Sequence, residues 1–194
     1  MDSKIVHSEG TVPACLDPGS SGDCDCVPPL AVCFEMKDYS PTHSPFTICK
    51  GELPDLDMIC SLEERIFNVE DRFSRRQLRY LLVSPNVTFL FCRWNEDSIG
   101  YGIALISRLR NGQRKGRIYS IGILRRFRRH GAGSLLLFAL EDWLREKSVA
   151  FITLETKNGS RGAADFFYKH GYATQKPLTH YYGSTPGIRM RKNV

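Results

Sequence analysis

The run Arg128-Arg129-His130-Gly131-Ala132-Gly133-Ser134 holds the most legible chemistry in this chain of 194 residues. Two glycines one residue apart turn a chain tightly and let successive backbone N–H groups point one way. Where such a loop opens a helix, the first amides have no intrahelical acceptor and lie at the positive end of the helix dipole. The matching ligand is a phosphate. Two other phosphate loops are excluded. Gly133-Ser134-Leu135 lacks the lysine of a Walker loop, and Leu136 stands where a dinucleotide fingerprint needs its third glycine. The plainer reading is a glycine-rich turn between solvated arginines, and the loop alone does not decide between the two.

The flanking segments supply the context. Gly116 to Leu124 is apolar and rich in β-branched residues, which predicts a buried strand. Ser134 to Lys147 lacks Gly and Pro and is dense in Leu, Ala, Phe and Trp, which predicts a packed helix. Further strands are expected at Pro45–Cys49, Thr88–Cys92, Gly100–Ile106 and Ala150–Thr156, and Asn111-Gly112 signals a hairpin. Helical spacing of Leu56, Ile59, Leu62 and Ile66 marks a helix over Asp55–Phe67, and Ser74 is a good N-cap for Arg75–Val83. Between these helices lies a polar link, Asn68 to Phe73. A shorter helix over Arg161–His170 ends at Gly171, and Tyr172 starts a terminal strand region reaching Met190. The order βααβββαβαβ predicts an α/β (α+β) fold, a mixed sheet with helices on both faces.

Composition bounds the rest. Hydrophobic content of 42% over this length suits one domain with one core. No apolar run approaches the ~20 residues of a membrane-spanning helix, and no signal peptide is visible after Met1, so a cytoplasmic protein without membrane partners is expected. Residues 1–44 carry seven acidic and two basic side chains and many Pro, Gly and Ser, which reads as an extension; the domain is expected over 45–194. That domain has fourteen acidic and twenty-five basic side chains, a balance that suits a polyanionic ligand. Arginines without interleaved exposed aromatics argue against specific nucleic-acid reading. Seven cysteines cannot all pair, and the uneven intervals of Cys15, Cys24, Cys26 and Cys33 do not suit a zinc site, so unpaired thiols and no metal are expected.

Three segments in order, at matching internal lengths, resemble the GNAT acyltransferases, which bind acetyl-CoA. The first is Ile121-Gly122-Ile123 with Arg128 to Ser134. The second runs from Leu154-Glu155-Thr156 through Ala163-Ala164 to Gly171-Tyr172. The third, Tyr181-Tyr182 followed by Gly187-Ile188-Arg189-Met190, is similar to the tail of the ribosomal-protein alanine N-acetyltransferase branch. The resemblance implies a GNAT-type, mostly antiparallel central sheet. It implies that the chain transfers an acetyl group from acetyl-CoA to an amine, directly and in a ternary complex. A protein N-terminal α-amine is the favoured acceptor, with a ribosomal protein among the candidates. A small-molecule amine, or a non-catalytic module that binds CoA or a ribosome, are the alternatives.

By resemblance, the backbone of Ile121, Gly122 and Ile123 holds the pantetheine arm, and the amides from Arg129 through His130, Gly131, Ala132 and Gly133 to Ser134 hold the pyrophosphate. Arg125, Arg126 and Arg128 are placed to add charge. Glu155 matches the general base of that branch, a carboxylate positioned to take the ammonium proton directly or through water; the plainer alternative is an ion pair with a lysine such as Lys157. Two positions depart from the family. Ser160 stands where an asparagine usually contacts the cofactor, with Asn158 nearby. The tyrosine expected as general acid falls at Phe167, which has no proton to give. Tyr168 is the nearest substitute but points about 100° away around an ideal helix. Tyr181 and Tyr182 are further candidates, as is the absence of any side-chain acid. His130 is read as a loop residue that stacks or contacts phosphate, and His170 as a helix C-terminal residue.

Overall fold

A computed structural model describes residues 44–157, 161–182 and 185–194. Nearly all of the acidic extension, its four cysteines, and the residues Asn158 and Ser160 lie outside the described residues, as do the side chains of Tyr181 and Tyr182.

Helix α1 (Leu56–Ile66) turns Leu56, Ile59, Leu62 and Ile66 inward, as their spacing predicts. Helix α2 (Arg75–Val83) starts where Ser74 caps it: the Ser74 side chain accepts from the Gln77 amide and the Gln77 side chain accepts from the Ser74 amide. The strands are β1 (Phe46–Lys50), β2 (Val87–Trp94), β3 (Asp97–Arg108), β4 (Arg114–Ile123) and, after the long helix α3 (Ala132–Glu146), β5 (Val149–Lys157). Helix α4 (Arg161–Lys169) follows. The terminal strand region expected as one piece is an antiparallel pair, β6 (Ala173–Tyr182) and β7 (Thr185–Asn193).

The seven strands form one sheet in the order β1-β2-β3-β4-β5-β7-β6, with β7 inserted beside β5. Among the described residues β4 and β5 are the parallel pair, and α3 makes the crossover that parallel neighbours require. Helices cover both faces. In the β3–β4 register Tyr101 pairs with Gly122 and Gly102 with Ile121, so Gly102 and Gly122 look to opposite sides. Leu136 and Leu140 of α3 crowd Gly102, while Ile66 and the adjoining Phe67 fill the space beside Gly122. The core between these layers is continuous from Phe46 to Met190. Among the described residues no helix is long and apolar enough to cross a membrane.

Candidate active site

Strands β4 and β5 part company halfway along. They pair only from Arg114–Val149 to Arg117–Thr153, whereas β5 stays paired with β7 as far as Lys157. The cause lies on the other edge of β4. A β-bulge opposite Ile103 and Ala104 leaves Tyr119 as the extra residue, and a bulge bends its strand and steepens the local twist. Immediately past this region a wedge opens, with Ile121, Gly122 and Ile123 on one side and Leu154, Glu155, Thr156 and Lys157 on the other. On the wedge side, β4 has no ladder partner for its backbone there among the described residues. Ile121 to Ile123 lie on this edge, and Gly122 among them also has a packing role. Its missing side chain makes room for Ile66 and Phe67, since a Cβ would come within 2.5 Å of Ile66 Cγ2. Any pantetheine contact there belongs to the backbone edge.

At the far end of β4 the chain passes through a short 3-10 turn, Arg125–Phe127, into the glycine loop. Arg129 (φ 66°) and Gly131 (φ 90°) are both left-handed, and α3 begins at Ala132. The Leu135 amide is the first to find a helical acceptor, the Gly131 carbonyl at 3.0 Å. The amides of Ala132, Gly133 and Ser134 therefore form the helix N-terminal set that lacks intrahelical acceptors, and the left-handed turns gather them into a concave nest. Gly131 is needed for its φ. Gly133 is not: a Cβ there would meet Phe166 at an ordinary 3.7 Å. Its open space suits a ligand approaching the helix end.

The side chains around this loop have divided duties. Arg128 donates through Nε to the Ile123 carbonyl at 2.8 Å and so ties the loop to the end of β4. Arg126 lies over the Phe127 ring, 4.8 Å from its centroid. Arg125, Arg129 and His130 are exposed. Ser134 Oγ is 3.0 Å from His170 Nε2, while His170 Nδ1 lies 2.7 Å from the Phe166 carbonyl. His170 thus locks α4 against the first turn of α3.

Glu155 is buried at 2% exposure on the α1 side of the wedge. The alternative partner Lys157 is engaged elsewhere, 2.6 Å from Asp71 of the α1–α2 link. Glu155 is instead held by two arginines, with Arg117 Nη2 at 2.7 Å from Oε2 and Arg189 Nε at 2.9 Å from Oε1. Register explains both. Arg189 is directly opposite Glu155 on β7, and Arg117 is level with Thr153 at the apex of the wedge. Neither partner was readable from the sequence, because both depend on pairings between distant strands. Thr156, on the same stretch of β5, has a buried hydroxyl with no hydrogen-bond partner among the described residues.

The link between α1 and α2 hangs over this site. Buried Glu63 accepts from the Phe73 amide at 2.5 Å and from the Tyr101 hydroxyl. Arg72 donates to the carbonyls of Phe67 and Glu64. Phe73 stacks on Tyr119 at 5.4 Å, and Arg117 lies 5.1 Å from the Tyr119 centroid. A continuous set of contacts thus runs from α1 to Glu155. Glu63 and Tyr119 are site residues that pattern reading missed; a glutamate on the apolar stripe of a helix is the signal that could have found the first.

The expected acid is not brought to this point. Phe167 is 3% exposed and packs edge-on against Phe166 and Tyr172. Tyr168 is 48% exposed, and its hydroxyl lies 2.6 Å from Thr174 Oγ1 on β6, a strand separated from β5 by β7. The helix phase that buries Phe167 turns its neighbour outward. Among the described residues no group of three or more His, Cys, Asp or Glu is arranged to hold a metal.

A parallel pair parted beside a bulge, with an amide nest at one end and a buried carboxylate on the other bank, is the arrangement these elements build. The acetyltransferase (GNAT) family model matches residues 56–172, more than half of the chain, and the chain belongs to that family as an N-acetyltransferase. No curated protein matches. Solved structures with the same fold include the ribosomal-protein-S18-alanine N-acetyltransferase from Escherichia coli, 18% identical, TM-score 0.66, covering 77% of this chain and 94% of that one. Arabidopsis thaliana Naa50 in complex with the bisubstrate analogue CoA-Ac-MVNAL is 17% identical, TM-score 0.68, with coverage of 77% and 99%. The NatC complex bound to Gag peptide and CoA is 16% identical, TM-score 0.68, with coverage of 77% and 98%.

Proposed function

We propose that this protein transfers the acetyl group of acetyl-CoA to the α-amine of a protein N-terminus, directly within a ternary complex. The observation that carries the reading is the wedge itself. It opens between strands that pair only as far as Arg117 and Thr153, and it joins the amide nest on α3 to Glu155 on the opposite bank. The donor fits these residues by three features: the N-terminal amides of α3, and, among the described residues, the edge of Ile121 to Ile123 without a ladder partner and the Thr156 hydroxyl without a hydrogen-bond partner. Neighbouring folds solved with CoA and peptide ligands support the same pairing of substrates.

Each residue has a defined task. The amides of Ala132, Gly133 and Ser134 bind the pyrophosphate, with Arg129 and His130 at its rim. Arg128 fixes the loop to Ile123. Bound acetyl-CoA supplies a thioester carbonyl for attack. Glu155, oriented by Arg117 and Arg189, takes the proton of the incoming ammonium directly or through a water. The link pinned by Asp71 and Phe73 forms the roof under which the acceptor lies. A CoA thiolate leaves readily, so no side-chain acid is assigned, and Tyr168 keeps its contact with Thr174.

Acetyl-CoA turnover with N-terminal peptides, set against polyamines and aminoglycosides, tests the acceptor. Turnover confined to peptides is the expected result; turnover confined to small amines overturns it. Mass spectrometry of protein N-termini from cells with and without the chain then identifies the targets.

A further inference from the structure

Resting on that reading, we infer that the preferred acceptor is an acidic N-terminus, a chain with carboxylate side chains immediately after its α-amine. Three cross-strand rows on the Glu155 face carry the argument. In the first, Glu155 stands opposite Arg189, and Arg189 opposite Lys176. In the second, Thr153 is flanked by Arg117 on β4 and Arg191 on β7. In the third, Phe151 is level with Lys115, and Arg191 lies 3.8 Å over its ring. Five cations thus share this face with one carboxylate of the rows. The other acids on this side are Asp71, already paired with Lys157, buried Glu63, which accepts from the Phe73 amide and the Tyr101 hydroxyl, and the exposed Glu70 of the link.

The arrangement costs stability, which is why it points to a ligand. Like charges directly opposite on neighbouring strands repel, as Arg189 and Lys176 must. Lys115 shows the same local excess: burial pushes its ammonium below the ordinary range, and Arg117 and Arg189 push it further, against Glu155 alone. These cations do not serve the phosphates of the donor. Arg117 is six residues upstream of Ile123, about 20 Å along a strand from the glycine loop. Arg117 and Arg189 touch Glu155 itself, and Lys115, Lys176 and Arg191 are their neighbours on the same face. A polycationic amine is repelled there, whereas carboxylates on the second and third residues of a peptide meet Arg189, Arg191 and Lys176.

The test uses the full chain and peptides with a common tail that begin with alanine, serine or methionine. Each is made with two glutamates, two glutamines or two lysines next in order. The acidic peptides should exceed the neutral ones in kcat/KM by about tenfold, with the basic ones lowest. The ratio should shrink at high ionic strength, since partly exposed charges are screened. Lys176→Glu and Arg191→Gln should each lower it through the acceptor KM, with the acetyl-CoA KM unmoved. Equal rates for all three classes, or preference for the basic class, overturn the inference and leave the N-terminal reading standing. Equal peptide rates together with salt-sensitive binding of a single-stranded RNA oligonucleotide would make this face a nucleic-acid surface, and the inference would fall. Turnover of spermidine with no turnover of any peptide overturns both readings.

Discussion

The two banks of the wedge are built from different materials. On the bank proposed for the donor, the groups offered to a ligand are backbone: the edge of Ile121 to Ile123 and the first amides of α3. On the bank proposed for the acceptor they are side chains gathered from α1, the link, β4, β5 and β7, namely Glu63, Asp71, Phe73, Arg117, Glu155 and Arg189. Backbone sites tolerate change in surrounding side chains as long as the local dihedrals hold. Side-chain sites depend on every ion pair in the set. Mutations on the donor bank should therefore act on acetyl-CoA affinity alone, and those on the acceptor bank on rate and acceptor KM.

The largest effect expected is that of Glu155→Gln, a fall in turnover of about 10²–10⁴-fold with little change in acetyl-CoA binding. The change also leaves Arg117 and Arg189 facing a neutral amide, so some loss of thermal stability is expected. Adding Arg189→Gln should recover part of the melting temperature and none of the rate. A rate preserved in Glu155→Gln across pH 6–9 would remove the base from the acceptor bank and break the comparison.

Next in size is Gly133→Val. A Cβ there has ordinary contacts, so the protein should fold, but the branched side chain enters the approach to the amide nest. Calorimetry should show acetyl-CoA binding weakened by about tenfold or more, a loss of roughly 1.4 kcal/mol. Equal affinity for both folded proteins would show that the nest does not hold the pyrophosphate.

Phe167→Tyr should act on stability. Its hydroxyl would enter a site packed by Phe166 and Tyr172, and a buried hydroxyl without a partner costs about 1–3 kcal/mol. The melting temperature should fall by several degrees without gain in rate; a faster enzyme would restore this helix position as the acid. Asp71→Asn, which weakens the pin on Lys157, should raise the acceptor KM a few-fold with kcat held, and an unchanged KM would detach the link from the acceptor site. Smallest of all is Tyr168→Phe. Its hydroxyl touches Thr174, two strand spacings or about 10 Å from β5, so the rate should change by less than about twofold.

These differences follow from how far apart in the chain each bank is assembled. Loop, helix start and strand of the donor bank lie within Ile121 to Ser134, so local rules sufficed to read them: a glycine turn, an unbroken helical run, a β-branched strand. The capping of α2 by Ser74 and the stripe of α1 were legible for the same reason. Glu155 itself could be singled out, and its burial on a strand agrees with the apolar residues beside it.

What the sequence alone determined is therefore local: which segments are helix or strand, where the amides of α3 emerge, and that an acetyltransferase pattern runs through them. The tertiary structure decided the rest. Insertion of β7 between β5 and β6 set Arg189 against Glu155, a bulge at Tyr119 opened the wedge, and α1 packing on Gly122 fixed the link above it. Each depends on strand register or on contact between elements far apart in the chain. A one-residue slip of register would turn Arg189 to the opposite face, and no local propensity encodes that choice.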